Sequence, residues 1–273
     1  MLKNFVISMT SAEHRREHIH REFGKHNIAF EFFDAITPSI GLDKAITQFV
    51  PNLANVNSLS NGEKACFMSH VLLWQKCIDE DLPYIAIYED DILLGKDSQY
   101  FLTNNQWLLD IFPSPNDFFI LRFETMLMKI GEKPFKHIPC SSSNTPYKLN
   151  ILTSTHYGAA AYIVSQASAR YLLNLVRELP VHHLKPLDHI LFRRYLTVPQ
   201  LQVYQLNPAI IIQEKFFLKE KSNLDSDIQV ERVATLKKSK EKLSVLAKLS
   251  REIKKIPDAI RKAFIYKKVD FHQ

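Results

Sequence analysis

Tyr84-Ile85-Ala86-Ile87-Tyr88-Glu89-Asp90-Asp91 decides the fold: an unbroken apolar run enters three consecutive acids. A strand apolar on both faces belongs in the middle of a sheet that is covered on both sides. In open α/β sheets ligands gather at the carboxyl ends of strands, so the acids stand where chemistry is best placed. Asp and Glu are poor strand residues and repel one another when crowded. A hard divalent cation, Mn²⁺ or Mg²⁺, would give such a cluster a purpose, because it takes carboxylate oxygens and phosphate oxygens together. A solvated turn closing the strand would also carry these acids, and metal-dependent phosphohydrolases or nucleotidyltransferases would use them alike.

Upstream, Asn4 to Met9 reads as a buried strand, Ser11 to about His26 as an amphipathic helix opening on a good cap residue, and Ala29 to Ala35 as a second strand. This β-α-β opening favours an α/β layer architecture. Ser60 and Glu63 form the Ser-x-x-Glu pattern of a capping box, which predicts a helix to about Glu80, where Pro83 precedes the central strand. Downstream, strands are expected at Asp117 to Arg122, Gly158 to Val164, Gln202 to Leu206 and Ala209 to Gln213, and helices at Ser165 to Glu178 and Leu187 to Tyr195. The Pro-, Ser- and Asn-bearing stretch Lys133 to Thr155 reads as a loop.

The chain has 273 residues, 46% hydrophobic and 23% charged, with six glycines and a formal charge of +6. It contains no apolar run of about 18 residues and no leader-like N-terminus, so a soluble cytoplasmic protein is expected. Cys66, Cys77 and Cys140 include no Cys-x-x-Cys pair and read as reduced thiols, with no zinc site or disulfide expected. No glycine-rich phosphate cradle is present. Arg15 and Arg16, on the helix after the first strand, are therefore candidates for holding phosphate, since Arg gives planar bidentate contacts.

Charge is concentrated at the C-terminal end: residues 237–268 are net +9, which leaves −3 on the rest. In that tail Leu243, Leu246, Ile253, Ile256, Ile260 and Phe264 recur at helical steps, giving one apolar and one basic face. Such a helix suits the interface of an anionic membrane; a helix packed on the body with a solvated basic face, or one used in dimerisation, would carry the same pattern. The expected division is 1–220 as the globular domain and 221–273 as a basic helical tail with possible membrane association. Nothing in the body supplies a basic, aromatic-lined groove, so no specific nucleic acid is expected as a partner.

Six segments occur in one order along residues 4 to 213: Asn-Phe-Val-Ile-Ser with Arg15-Arg16, Leu59 to His70, Tyr84 to Gly95, His156 to Ser165, Pro186-Leu187-Asp188, and Gln205 to Gln213. Together they resemble glycosyltransferase family 25, the bacterial lipooligosaccharide galactosyltransferases. The resemblance implies a GT-A type nucleotide-sugar-binding sheet flanked by helices, a metal-dependent UDP-sugar donor, inversion at the anomeric carbon, and a lipooligosaccharide or oligosaccharide acceptor. Galactose in β-1,4 linkage is favoured by the resemblance, with a glucosyltransferase of the same family or a sugar nucleotidyltransferase as alternatives. It implies a metal at Asp91 and Asp90, with Asp91 the direct ligand and Mn²⁺ ahead of Mg²⁺. Ser8, Arg15, Arg16, Glu63, Lys64, His70, Glu89, Asp90, Arg122, His156 and Gln213 are expected to contact donor or acceptor. An inverting transfer needs a base for the acceptor hydroxyl, and Asp188, then Glu124, are the candidates outside the acidic cluster. For a lipid-linked acceptor, the tail would place the enzyme on the inner face of the bacterial inner membrane.

Overall fold

Alternation along the first and central strands builds two cores at once. In a computed structural model, which describes residues 2–140, 146–218, 224 and 265–273, β1 (Asn4–Ser8) sends Phe5 and Ile7 to one side and Val6 to the other. Strand β3 (Tyr84–Glu89) does the same with Ile85 and Ile87 against Ala86 and Tyr88. Both faces of the sheet are therefore sealed, as the doubly apolar run requires. One core receives α2 (Ile40–Phe49) and α3 (Asn61–Asp79); the other receives α1 (Glu13–Lys25). Ser60 caps α3 through the predicted box, its hydroxyl accepting from the Glu63 amide while Glu63 accepts from the Ser60 amide.

The remaining strands are β2 (Glu31–Asp34), β4 (Ile92–Leu94), β5 (Ile120–Arg122), β6 (Glu124–Thr125), β7 (Lys129–Ile130), β8 (Glu132–Ile138), β9 (Tyr147–Leu152), β10 (Ala161–Ser165), β11 (Val203–Asn207), β12 (Ile211–Gln213) and β13 (Lys267–Lys268). They form an eight-stranded sheet in the order β2-β1-β3-β10-β5-β11-β9-β8. It is mixed: β1 is parallel to β2 and β3, whereas β10 runs antiparallel between β3 and β5. The protein is thus an α/β fold around a large central mixed sheet. A smaller sheet, β4-β12-β6, sets Gln213 opposite Ile92, next to the acidic cluster. The short helices are α4 (Ser98–Thr103), α5 (Gln106–Leu109), α7 (Leu187–His189) and α8 (Glu214–Leu218), and α6 (Gln166–Glu178) packs beside α3.

Four expectations need correction. Lys133 to Thr155 is not a loop. Its described residues supply β8 and β9, with Tyr147 and Leu149 buried, Lys148 exposed, and a register shift between Pro134 and Lys136. The first helix starts at Glu13 behind Ala12, with no side-chain cap from Ser11. The helix expected over Leu187 to Tyr195 is broken: after α7 the chain turns through a π-helical and a 3₁₀ segment, and Phe192 leaves helical geometry with φ −110° and ψ 17°. In doing so Phe192 places its ring 4.0 Å from the Arg122 guanidinium carbon and its carbonyl on the His156 amide. The last residues of the expected helical tail form β13, which pairs with β7, and bury Val269 against the body. Leu243 to Phe264, the amphipathic stripe, lies outside the described residues.

Candidate active site

At the end of β3 the three acids diverge into different environments. The Asp90 carboxylate accepts from the Ser8 hydroxyl at 2.7 Å and pairs with Arg15 at 2.5 Å, which ties the ends of β1 and β3 to α1. Asp91 is 5% exposed and accepts at both oxygens, each 3.0 Å from the Gln213 amide nitrogen; Lys215 stands 3.8 Å away. The backbone amide of Glu214 donates to the Asp91 carbonyl, so β12 and α8 clasp this residue twice. Glu89 is the more open acid, its side chain 28% exposed, and it accepts from the same Gln213 nitrogen at 3.2 Å. Two carboxylates thus share one neutral donor. This is a hard-oxygen group with its charge only partly balanced.

The arginines expected to hold phosphate are engaged locally. Arg15 serves Asp90, while Arg16 donates to the Met9 and Ser8 carbonyls, pairs with Asp34 and lies over Phe32. Glu63 closes the capping box and Lys64 reaches the Ala54 carbonyl at 3.3 Å, so both serve the start of α3. About two turns further along α3, His70 is buried at 1% exposure. Its Nδ1 lies 3.0 Å from the Tyr162 hydroxyl, which also accepts from Trp74 at 3.1 Å. Its Nε2 points toward Glu89, 3.8 Å from Oε1.

A second group lies beneath. Arg122 is completely buried and donates to the Glu124 carboxylate, the Gly158 and Tyr157 carbonyls and Gln205. Glu124, also fully buried, accepts from the Ala160 amide at 2.9 Å. Burial outweighs the attraction of Arg122 and raises the Glu124 carboxyl to about 8. Burial, followed by the same cation, holds His156 well below the usual histidine range, so the ring is neutral. Gly158 joins this floor to the surface. Its φ is +82° and a Cβ there would stand 3.0 Å from Glu124 Oε2, so only glycine fits. Its amide donates to Asp188 Oδ2 at 3.0 Å, and the half-buried Asp188 also accepts from the His189 amide at 2.8 Å.

The structure therefore gathers Ser8, Arg15, Glu89, Asp90, Asp91, Gln213 and His70 at one strand end. It joins Asp188 to Arg122, Glu124 and His156 through Gly158. Arg122, Glu124 and His156 have no exposed surface; they brace the site from below. Sequence reading missed Tyr162, Trp74 and Lys215, and also Cys66, which lies outside the acidic cluster with its sulfur within 4.8 Å of His70 and Glu89 donor atoms. For Cys66 a signal existed, since it lies four residues before His70 on one helix and therefore on the same face.

Residues 1–191 match the model of glycosyltransferase family 25 (LPS biosynthesis protein). The lipooligosaccharide biosynthesis protein lic2B of Haemophilus influenzae is 42% identical over 269 residues, covering 97% of each chain. The lacto-N-neotetraose biosynthesis glycosyltransferases LgtE and LgtB of Neisseria meningitidis serogroup B are 39% and 38% identical. They cover 97% and 93% of this chain and 96% and 95% of their own. A solved glycosyltransferase involved in glycosylation of the major capsid of PBCV-1 aligns with a TM-score of 0.37 at 8% identity, covering 78% of this chain and 94% of that one. That likeness is too loose to carry a conclusion.

Proposed function

The chain belongs to glycosyltransferase family 25 and is a glycosyltransferase of the lipopolysaccharide and lipooligosaccharide biosynthesis group, and we propose that it moves a hexose, galactose in β-1,4 linkage, from a UDP-sugar to a terminal sugar of lipooligosaccharide with inversion. The observation that carries this reading is the Glu89, Asp90 and Asp91 cluster at the carboxyl end of a central strand, clasped by Gln213. The order of the main sheet, with one antiparallel strand inserted beside β3, supports the GT-A type assignment. The names of the relatives, which refer to lipooligosaccharide and lacto-N-neotetraose biosynthesis, support an oligosaccharide acceptor.

The acids fit Mn²⁺ or Mg²⁺: they are hard oxygens, and Asp91 is held by one neutral amide with Lys215 at the edge of reach. Asp91 and Asp90 would hold the ion, Asp91 directly, since Asp90 is already bound to Ser8 and Arg15. Such an ion, when bound, supplies counter-charge for the departing diphosphate. Lys215 adds a fixed positive charge on the same side. Asp188 takes the proton of the acceptor hydroxyl. The Gly158 and His189 amides each occupy one of its oxygens, which orients the carboxylate and leaves lone pairs for the substrate. Glu124 has no exposed surface and stays a brace.

Among the described residues no helix is long and apolar enough to cross a membrane. The net charge of +9 over residues 237–268 supports peripheral attachment to an anionic membrane on the cytoplasmic side. The test of the reaction is a screen of UDP-galactose, UDP-glucose and UDP-N-acetylhexosamines with a lactosamine-type acceptor, in Mn²⁺ and after EDTA. Metal-dependent release of UDP with a β-linked galactoside product is expected. A glucoside, or a product with retained configuration, would overturn the corresponding part of the proposal.

A further inference from the structure

We propose that Cys66, His70 and Glu89 form a second cation site, distinct from the Asp90 and Asp91 oxygens, that takes a thiophilic divalent ion such as Zn²⁺ or Co²⁺. The three side chains each offer a donor atom, and these atoms all lie within 4.8 Å of one another. Tetrahedral zinc, with bonds of about 2.0–2.3 Å, needs donors roughly 3.5 Å apart. The His70 to Glu89 pair stands at 3.8 Å, close to that spacing before any adjustment.

Helix α3 makes the site, because residues four apart share a face. Cys66 and His70 therefore approach Glu89 from the same side. The independent pointer is the His70 ring. It is 1% exposed, and its Nε2 has no hydrogen-bond partner among the described residues although it is aimed at Glu89. A buried polar nitrogen left unmatched is costly, and a metal–nitrogen bond would satisfy it. Its other nitrogen is already placed on the Tyr162 hydroxyl, whose oxygen also accepts from Trp74. That is the outer support metal-bound histidines use: Nδ1–H donates outward while the Nε2 lone pair faces the ion.

Ligand chemistry separates the two sites. Thiolate and imidazole select zinc-like ions, whereas carboxylate oxygens suit Mn²⁺ and Mg²⁺. Binding forms a metal–sulfur bond and releases the Cys66 thiol proton to solvent. Nothing is oxidised or reduced. An ion held here also engages Glu89, so it should slow glycosyl transfer; that consequence alone rests on the proposed function.

The test is Co²⁺ titration of the full chain freed of metal with EDTA, followed by visible and ultraviolet absorption. The wild type should show a thiolate-to-cobalt charge-transfer band. Cys66→Ala and Cys66→Ser should lose it and bind Zn²⁺ at least about tenfold more weakly, the scale on which even outer-shell changes act. Cys77 and Cys140 remain in both variants as internal controls. Asp91→Asn should keep the band. Both Cys66 variants should retain Mn²⁺-supported transfer, with inhibition by added Zn²⁺ relieved. A wild type without the band, a Cys66 variant that keeps it, or its loss in Asp91→Asn would overturn the second site. The band in a chain without transferase activity would support the site while sinking the functional reading.

Discussion

Val269→Asp is expected to release the C-terminal segment from the body. Val269 has no exposed surface and belongs to the buried cluster that includes Ile130, Leu152 and Ala209. Around it, the Thr125 hydroxyl donates to the Val269 carbonyl, the Ala209 amide to Asp270, the His272 amide to Ala209, and the Lys96 amide to His272. Losing the buried valine removes roughly 1.5–3 kcal/mol. A carboxylate in its place adds a desolvation cost of several kcal/mol for an unpaired charge. The segment escapes that second cost by undocking, so the observable is detachment without global unfolding. Hydrogen exchange followed by mass spectrometry reads it directly, since the Lys96 and Ala209 amides lose their acceptors. Each 1.4 kcal/mol is a factor of about ten in the opening equilibrium, so their protection should fall by at least tenfold to a hundredfold, while amides of β3 and β10 stay protected. Unchanged protection at Lys96 and Ala209 would refute the docking.

Asp188→Asn should lower kcat by about 10² to 10⁴, the usual worth of a positioned base, with donor KM nearly unchanged; steady-state kinetics with saturating acceptor checks this. Tyr162→Phe strands Trp74 Nε1 and His70 Nδ1 in a buried setting. Roughly 1–3 kcal/mol of stability should be lost for each group left unsatisfied, measured as a lower urea midpoint. The Glu124 carboxyl, raised to about 8 by burial, holds its proton in the folded chain over a range where the unfolded chain has lost it. Stability from this group is full below pH of about 4.5 and falls as pH rises toward about 8. Urea titrations at pH 5 and pH 8 should show a smaller decline for Glu124→Gln than for wild type.

The central strand and the helix before it were legible because their signals are local: a doubly apolar run, and a capping box whose two hydrogen bonds both form. Strand β8 was not, since five consecutive residues, Lys133 to His137, are exposed and Pro134 lies at a register shift. An edge strand with neither face buried carries no alternation to read. The C-terminal strand was hidden by its lysines, because Val269 alone in Lys267 to Asp270 is buried. At the candidate site, residue types pointed to the acids, and the family resemblance pointed to Asp188. They could not separate Arg15, which pairs with Asp90, from an arginine facing phosphate, or show that Arg122 lies under the site. Those distinctions depend on contacts between residues distant in sequence, such as Arg122 with Gly158 and Arg15 with Asp90.

The central claim is that Asp91 supports metal-dependent sugar transfer, and it is tested most directly by following UDP release from UDP-galactose in wild type and Asp91→Asn, each in Mn²⁺ and after EDTA. Removing several kcal/mol of charge stabilisation at the leaving group should reduce turnover at least about a hundredfold, both on chelation and in the variant. Readdition of Mn²⁺ should rescue the chelated wild type and fail to rescue Asp91→Asn. Turnover that survives EDTA, or an Asp91→Asn variant as active as wild type in Mn²⁺, would contradict the account.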